Sequence, residues 1–333
     1  MTPLQDRVRG ALVGQAVGDA LGAPTEGLSR VEIIDRWGWV ADFIDEDPAG
    51  TDDTEYSVVT AQLLLAHGHQ LTEDDVTRKW RSTLADQVGG FSGGGFSEMT
   101  AINHLRDGRS APQTGHDNHE MWSDGTAMRV GPIGAFCAGD PQEAARLAAI
   151  DGSVSHARDG IYCGQLVAAS VAAAASGEAS IETIITTGLE RVPMDSWTYR
   201  AVSEAVRVGG ESRNIADALD RLTQSTVIRH YPWADVAPEA VGLAFGLLAA
   251  AHGDYEASVI AAVNIGRDAD TIAAIVGAIA GARWGYDAIP RHWRERVLFV
   301  RGDCISATAG VNLLELADAL YDKSLGEDSH HDR

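Results

Sequence analysis

The chain has 333 residues, 45% of them hydrophobic, and a formal net charge of -22. That length allows one large domain or two ordinary ones, and the composition excludes a disordered chain. So acidic a surface repels a phosphate backbone and excludes general nucleic-acid coating, though not one nucleotide in a pocket.

In chain order, apolar periodicity predicts helices over 4–22, 53–67, 72–86, 97–107, 141–150, 158–177, 180–191, 197–207, 214–222, 236–252, 254–263, 270–284, 290–299 and 309–322. Asn214 and Asp254 are expected as N-caps. Alternating strand patterns are scarce, so a single all-α domain over 1–325 is expected, with a polar, disordered tail over 326–333. Two long loops stand out, FSGGGFSE (91–98) and RDGRSAPQTGHDNHEMWSDGT (106–126), and long loops in compact domains are often functional. The start MTPLQDRVRG does not read as a signal peptide, and the apolar runs fall short of the ~20 residues of a membrane span. Cys137, Cys163 and Cys304 form no CxxC pair, which points away from disulfides or structural zinc and toward a cytoplasmic setting.

The first predicted helix carries Gly10, Gly14, Gly18 and Gly22, spaced four apart. Each glycine inside a helix costs roughly 1 kcal/mol against alanine. A stripe of them on one face is explained if another backbone approaches closely. IVGAIAGARWG repeats the device with Gly277, Gly281 and Gly285. These two segments are therefore expected as central helices, packed at short distance on each other.

An acid-rich turn lies near each stripe. Thr51, Asp52 and Asp53 precede one helix; Asp268, Asp270 and Thr271 open another. Asp or Thr before a helix is ordinarily a cap. Adjacent Asp52 and Asp53 cannot share one capping role, and Asp268 and Asp270 converge only in an irregular turn. Carboxylates brought together raise each other's pKa, and hard divalent cations such as Mg²⁺ and Mn²⁺ relieve that repulsion.

GDALGAPTEG, TDDTEYSVV and GRDADTIAAIVGAIAGA, in this order, resemble the signatures of the ADP-ribosylglycohydrolase family over roughly residues 6 to 321. The resemblance implies an orthogonal multi-helix bundle with two Mg²⁺ or Mn²⁺ ions in a cleft. It also implies cleavage of a glycosidic bond at C1 of an ADP-ribosyl ribose. By that match, Thr51, Asp52, Asp53, Asp268, Asp270 and Thr271 are the metal ligands, with Glu26 beside them and Asp19 either supporting the ligands from behind or in a capping role. Glu26 or Asp53 would take a water's proton. Ser123, Asp124, Gly125, Thr126 and Met128 match a loop that holds the diphosphate and distal ribose. His156 matches a cleft histidine, and Gly93, Gly94 and Phe96 fit a further cleft loop.

Two positions depart from the family pattern. SDGTAMR stands where relatives read NGGAMR, and GRDADT where they read GGDADT. Asp124 beside a diphosphate is unfavourable unless it turns away or is paired. Arg267 is expected to pair with it, bind a phosphate or face solvent. The acceptor is left open, and three functions follow: hydrolysis of an ADP-ribosylated substrate, hydrolysis of a small N-riboside or nucleoside, or binding of ADP-ribose or a partner without turnover.

Other residues have plainer readings. His116, Asp117, His119 and Glu120 read as a solvated loop, and Asp86 and Glu98 as surface. Trp37, Trp39, Trp80 and Trp197 read as packing, while Trp122, beside SDGT, is a candidate ligand contact. No serine has a GxSxG context, which excludes a serine–histidine hydrolase of that type.

Overall fold

The computed structural model describes residues 1–88, 94–177 and 179–331. Helices succeed one another from Pro3–Gly22 to Leu313–His331, and the described residues contain no strand, only three isolated bridges. The buried apolar residues form one contiguous cluster, so the all-α, single-domain expectation holds. No helix among the described residues is long and apolar enough to cross a membrane. Asn214 and Asp254 cap as expected, accepting from the Asp217 and Ala257 amides at 3.0 and 2.8 Å.

The structure departs from the predicted elements in several places, among them the unanticipated short helices Gln113–His116, Gly125–Arg129 and Gly131–Phe136. The 290–299 segment is helical only over Arg291–Arg294. Its VLFV run suits an extended chain. The Val300 amide donates to the Val311 carbonyl at 3.0 Å, and that of Leu313 to Leu298 at 2.9 Å. The helix Arg30–Trp37 was not anticipated, although it opens with a Ser29–Glu32 capping box. The tail expected over 326–333 falls on the end of the last helix and on residues 332–333, which lie outside the described residues.

The glycine stripes do meet. Helix Pro3–Gly22 runs antiparallel to helix Ala269–Trp284, with Gly10 opposite Gly281, Gly14 opposite Gly277, Gly18 opposite Ala273 and Gly22 opposite Ala269. A Cβ added at Gly18 would lie 2.0 Å from the Ala273 carbonyl oxygen, and one at Gly277 2.1 Å from that of Gly14. Both obstacles are backbone, so neither can swing aside. Gly285 departs from the stripe. It has φ 87° and ends the helix in a conformation that favours glycine.

Replacing Gly18 with alanine should therefore destabilise the fold by about 1–3 kcal/mol through overpacking. Gly210, with open space around its Cα, is the control, and its change to alanine should cost nothing. Thermal denaturation of both variants checks this; equal melting temperatures would show that the stripe is not a contact face.

Candidate active site

The helix contact brings the three acidic motifs to one place. Gly22, at the end of the first helix, lies against Ala269 and Asp270, the first residues of its partner. The chain then turns through Ala23–Thr25. The Thr25 hydroxyl donates to the Val263 carbonyl at 2.9 Å. The Gly27 amide donates to the Arg267 carbonyl, and the Arg267 amide to that of Leu28, both at 2.7 Å. Glu26 is thereby held beside Asp268 and Asp270, with one carboxyl oxygen of each within 4.8 Å of the others.

Asp19 brings in the second motif. Buried at the inner end of the first helix, it accepts from the Thr51 amide (2.7 Å) and hydroxyl (2.8 Å), and from the Thr54 amide (3.0 Å) and hydroxyl (2.5 Å). It thus caps helix Asp52–His67 from another element, while Thr51, the N-cap residue, makes no side-chain cap. Asp268 likewise caps nothing with its side chain. Freed from capping, Asp53 reaches the second turn, where the Thr271 hydroxyl donates to its Oδ1 at 3.2 Å.

These residues open into a cavity of about 270 Å³. Glu26, Asp52, Asp53, Asp268, Asp270 and Thr271 line it, as do Ser123, Asp124, Gly125 and Met128 of the SDGTAMR segment and Gly94 and Phe96. Three expected residues do not line this cavity. Thr51 faces a neighbouring acidic cavity with its hydroxyl given to Asp19. Thr126 packs against Gly152 and Gly164, where a Cβ on either glycine would collide with it. His156 is fully buried behind Ser123, 2.9 Å from its hydroxyl, and does not line the cavity. Gly93 lies outside the described residues.

Arg267 does not pair with Asp124, nor does it simply face solvent. It pairs with Glu239 at 2.6 Å and donates to the Trp233 carbonyl at 3.0 Å. Glu239 also accepts from the Ile228 amide at 2.6 Å. The pair thus holds the segment that presents Trp233, Ala234 and Asp235 to the cavity. Arg267 does this at φ 63°, a left-handed conformation that costs a non-glycine residue about 1–2 kcal/mol.

Sequence reasoning missed Trp233 and Asp235, and it misplaced Glu98. Glu98 lines the cavity, is 1% exposed and pairs with the fully buried Arg129 at 3.3 Å. Arg129 also binds Asp151 at 2.7 Å and lies over the ring of Trp80. Trp122 instead meets Tyr231 edge-on and is not a lining residue. His116, Asp117 and His119 are exposed, as expected, whereas Asn118 between them is buried and ties Ser97 to Ser155 through their carbonyls.

Glu98, Asp124 and Asp235 bring the cavity's carboxyl groups to eight, and no Lys, Arg or His is among its described lining residues. Burial, then neighbouring carboxylates, pushes Asp52 up to about 7 and Asp53, Asp268 and Asp270 well above the usual range. Glu26 is exposed overall, yet desolvation of its carboxyl group raises it too. Asp53 Oδ2 and Asp124 Oδ2 are buried with no donor facing them. An all-oxygen donor set with this charge suits a hard divalent cation.

The ADP-ribosylglycohydrolase family profile matches residues 1–329. An uncharacterized protein of Archaeoglobus fulgidus is 34% identical over 88% of this chain and 92% of its own. ADP-ribosylhydrolase ARH3 of Gallus gallus is 25% identical over 88% and 89%. ADP-ribosylarginine hydrolase Tri1 of Pseudomonas putida is 26% identical over 97% and 81%. A solved ADP-ribosylglycohydrolase-related protein complex superposes with a TM-score of 0.66 at 25% identity, covering 97% of this chain and all of that one. The chain belongs to the ADP-ribosylglycohydrolase family, and is thus an enzyme that hydrolyses glycosidic bonds.

The raised carboxyls set a pH dependence. Asp19, pushed up to about 6 by burial, and Asp52, at about 7, bind protons more tightly folded than unfolded. Their stabilising contribution is full below the unfolded value near 4 and is lost as pH rises through about 6 to 7. Metal-free protein should therefore melt several degrees lower at about pH 8 than at about pH 5.5, and added Mg²⁺ or Mn²⁺ should raise Tm more at the higher pH. Equal cation-induced shifts at both values would contradict this.

Proposed function

We propose that the chain is a metal-dependent hydrolase that cleaves the bond at C1 of an ADP-ribosyl group, freeing a protein or small-molecule acceptor. The observation that carries this reading is the meeting of Glu26, Asp268 and Asp270 within 4.8 Å. Two divalent cations, Mg²⁺ or Mn²⁺, would supply charge that orients the ribose hydroxyls and activates a water. Asp52, Asp53, Asp268, Asp270 and Thr271 would hold them, with Thr51 contributing the lone pairs that its bond to Asp19 leaves free.

Glu26 is the preferred base for that water. It alone of the close trio is exposed, so its proton can exchange with solvent. Asp53 is the second choice, being buried and already bonded to Thr271. The carboxyl groups around C1 favour an oxocarbenium-like transition state. Trp233 and Phe96, edge to face at 5.1 Å, would wall the ligand on the outer side.

The lack of a cationic side chain among the described lining residues favours a second reading, a small N-riboside or nucleoside substrate. Turnover of ADP-ribosyl-arginine, ADP-ribosyl-serine and simple nucleosides, each with Mg²⁺ or Mn²⁺, decides between the two. Release of ADP-ribose is expected; nucleoside hydrolysis alone would overturn the first reading. Asp270→Asn should lose cation binding and activity while keeping its helical circular dichroism, and undiminished metal content would remove Asp270 from the ligand set.

A further inference from the structure

Residues 227–235 wall the cavity without belonging to the core. Trp233, Ala234 and Asp235 line it, yet none of the segment is buried, and Trp233 is 53% exposed. Edge contacts join Tyr231 to Trp122 and Trp233 to Phe96. The Asp235 carbonyl accepts from the Asp124 amide at 3.1 Å, which fixes the end of the segment. Ahead of it, from Val227 to Ala234, two hydrogen bonds among the described residues leave the segment. The Ile228 amide donates to Glu239 Oε2 at 2.6 Å, and the Trp233 carbonyl accepts from Arg267 Nη2 at 3.0 Å. Arg267 Nε donates to Glu239 Oε1 at 2.6 Å, so both ties run through one ion pair. The Glu239 side chain is fully buried, and a carboxylate in that setting needs its guanidinium partner.

The backbone of Arg267 holds the opposite wall. Its carbonyl accepts from the Gly27 amide and its amide donates to the Leu28 carbonyl, both at 2.7 Å and next to Glu26. One residue thus ties the turn of Glu26 through its main chain and the outer wall through its side chain. It does so at φ 63°, directly after Gly266 at φ 72°. Glycine would hold that turn without strain, and an arginine there is sustained by what its side chain gains. What it gains is a hold on a segment that adds little to the core.

We infer that Arg267 is a positioning residue that clamps the outer wall, Trp233 to Asp235, against the turn carrying Glu26, so that the cavity is shaped before its ligand arrives. A wall set in advance spares the ligand the entropy of ordering it, and the saving is read as affinity. Arg267 does not line the cavity, so it acts through Trp233 and Asp235 rather than by touching the ligand. The inference rests on the ribosyl-hydrolase reading for the ligand that fills the cavity, but the clamp itself does not depend on it.

Amide hydrogen exchange in the presence of Mg²⁺, without ligand, tests the clamp. In Arg267→Gly, which suits the backbone angle, exchange should quicken across residues 227–236, while the Gly27 amide, held by a main-chain carbonyl, stays protected. Glu239→Gln, which keeps an acceptor for Ile228 but removes the charge, should quicken the same residues. Unchanged exchange there, or quickening spread evenly over the chain, overturns the inference. Calorimetry with ADP-ribose and with adenosine at fixed Mg²⁺, with cation content matched, tests the effect on binding. Arg267→Gly should weaken each probe that the wild type binds by roughly three- to tenfold. Arg267→Lys, which keeps the charge but loses the planar fork, should fall between the two. Weaker ADP-ribose binding with adenosine unmoved would mean that the guanidinium grips a phosphate directly, and would overturn the positioning role, as would affinities unmoved in Arg267→Gly. Binding of adenosine but not ADP-ribose, weakened by the same substitutions, would retire the ADP-ribosyl reading while supporting the clamp.

Discussion

Two helices touch backbone to backbone, and the candidate site depends on that contact. Because Gly10, Gly14, Gly18 and Gly22 lack side chains, the first helix lies directly on carbonyls of the helix that begins at Ala269. Running antiparallel, the pair joins the end of one helix to the start of the other. Asp19 and Glu26 belong to the first of these ends, Asp268 and Asp270 to the second. Asp19 then fastens the Thr51–Thr54 turn with four hydrogen bonds, so a single packing event assembles acids drawn from three distant stretches of chain. The cost of glycine in a helix interior is offset by the close approach it permits.

That assembly is electrostatically unfavourable on its own. Eight carboxyl groups face one cavity, and the buried cation Arg129 is spent on Glu98 and Asp151. Raised pKa values are the expected response of such groups, and bound cations are the alternative response at neutral pH. The scaffold therefore trades stability of the empty site for affinity toward positive charge. Arg267 shows the same trade at smaller scale, since its strained backbone is maintained by an ion pair that steadies the Trp233–Asp235 wall.

Much of this was legible in the sequence because the signals were local and repeated. Glycines four apart are hard to explain except by close helix contact, and two such stripes suggested their mutual packing. Adjacent acids that could not share a capping role marked one turn, and acids two apart that converge only in an irregular turn marked the other. What stayed hidden was set by partners far along the chain. Glu98 resembles any surface acid until folding brings Arg129 to it. Pairing with Asp124 is one of the roles open to Arg267 in the sequence, but Glu239, arriving on the helix Ala237–Ala250, claims it instead. His156 was expected to face the ligand, and packing sets Ser123 in front of it. Trp233 and Asp235 sit in a connecting loop whose sequence carries no periodicity, so only the cavity itself reveals them.

The most direct test of the account is the Mn²⁺ affinity of Gly14→Ala. Gly14 holds no proposed ligand and lies at the middle of the helix contact, where a Cβ would sit 2.4 Å from the Gly277 carbonyl oxygen. If the backbone contact sets the spacing of the carboxylates, forcing the helices apart there should weaken Mn²⁺ binding by about tenfold or more, although every ligand remains. A folded Gly14→Ala protein with displaced helices and unchanged Mn²⁺ affinity would contradict the account.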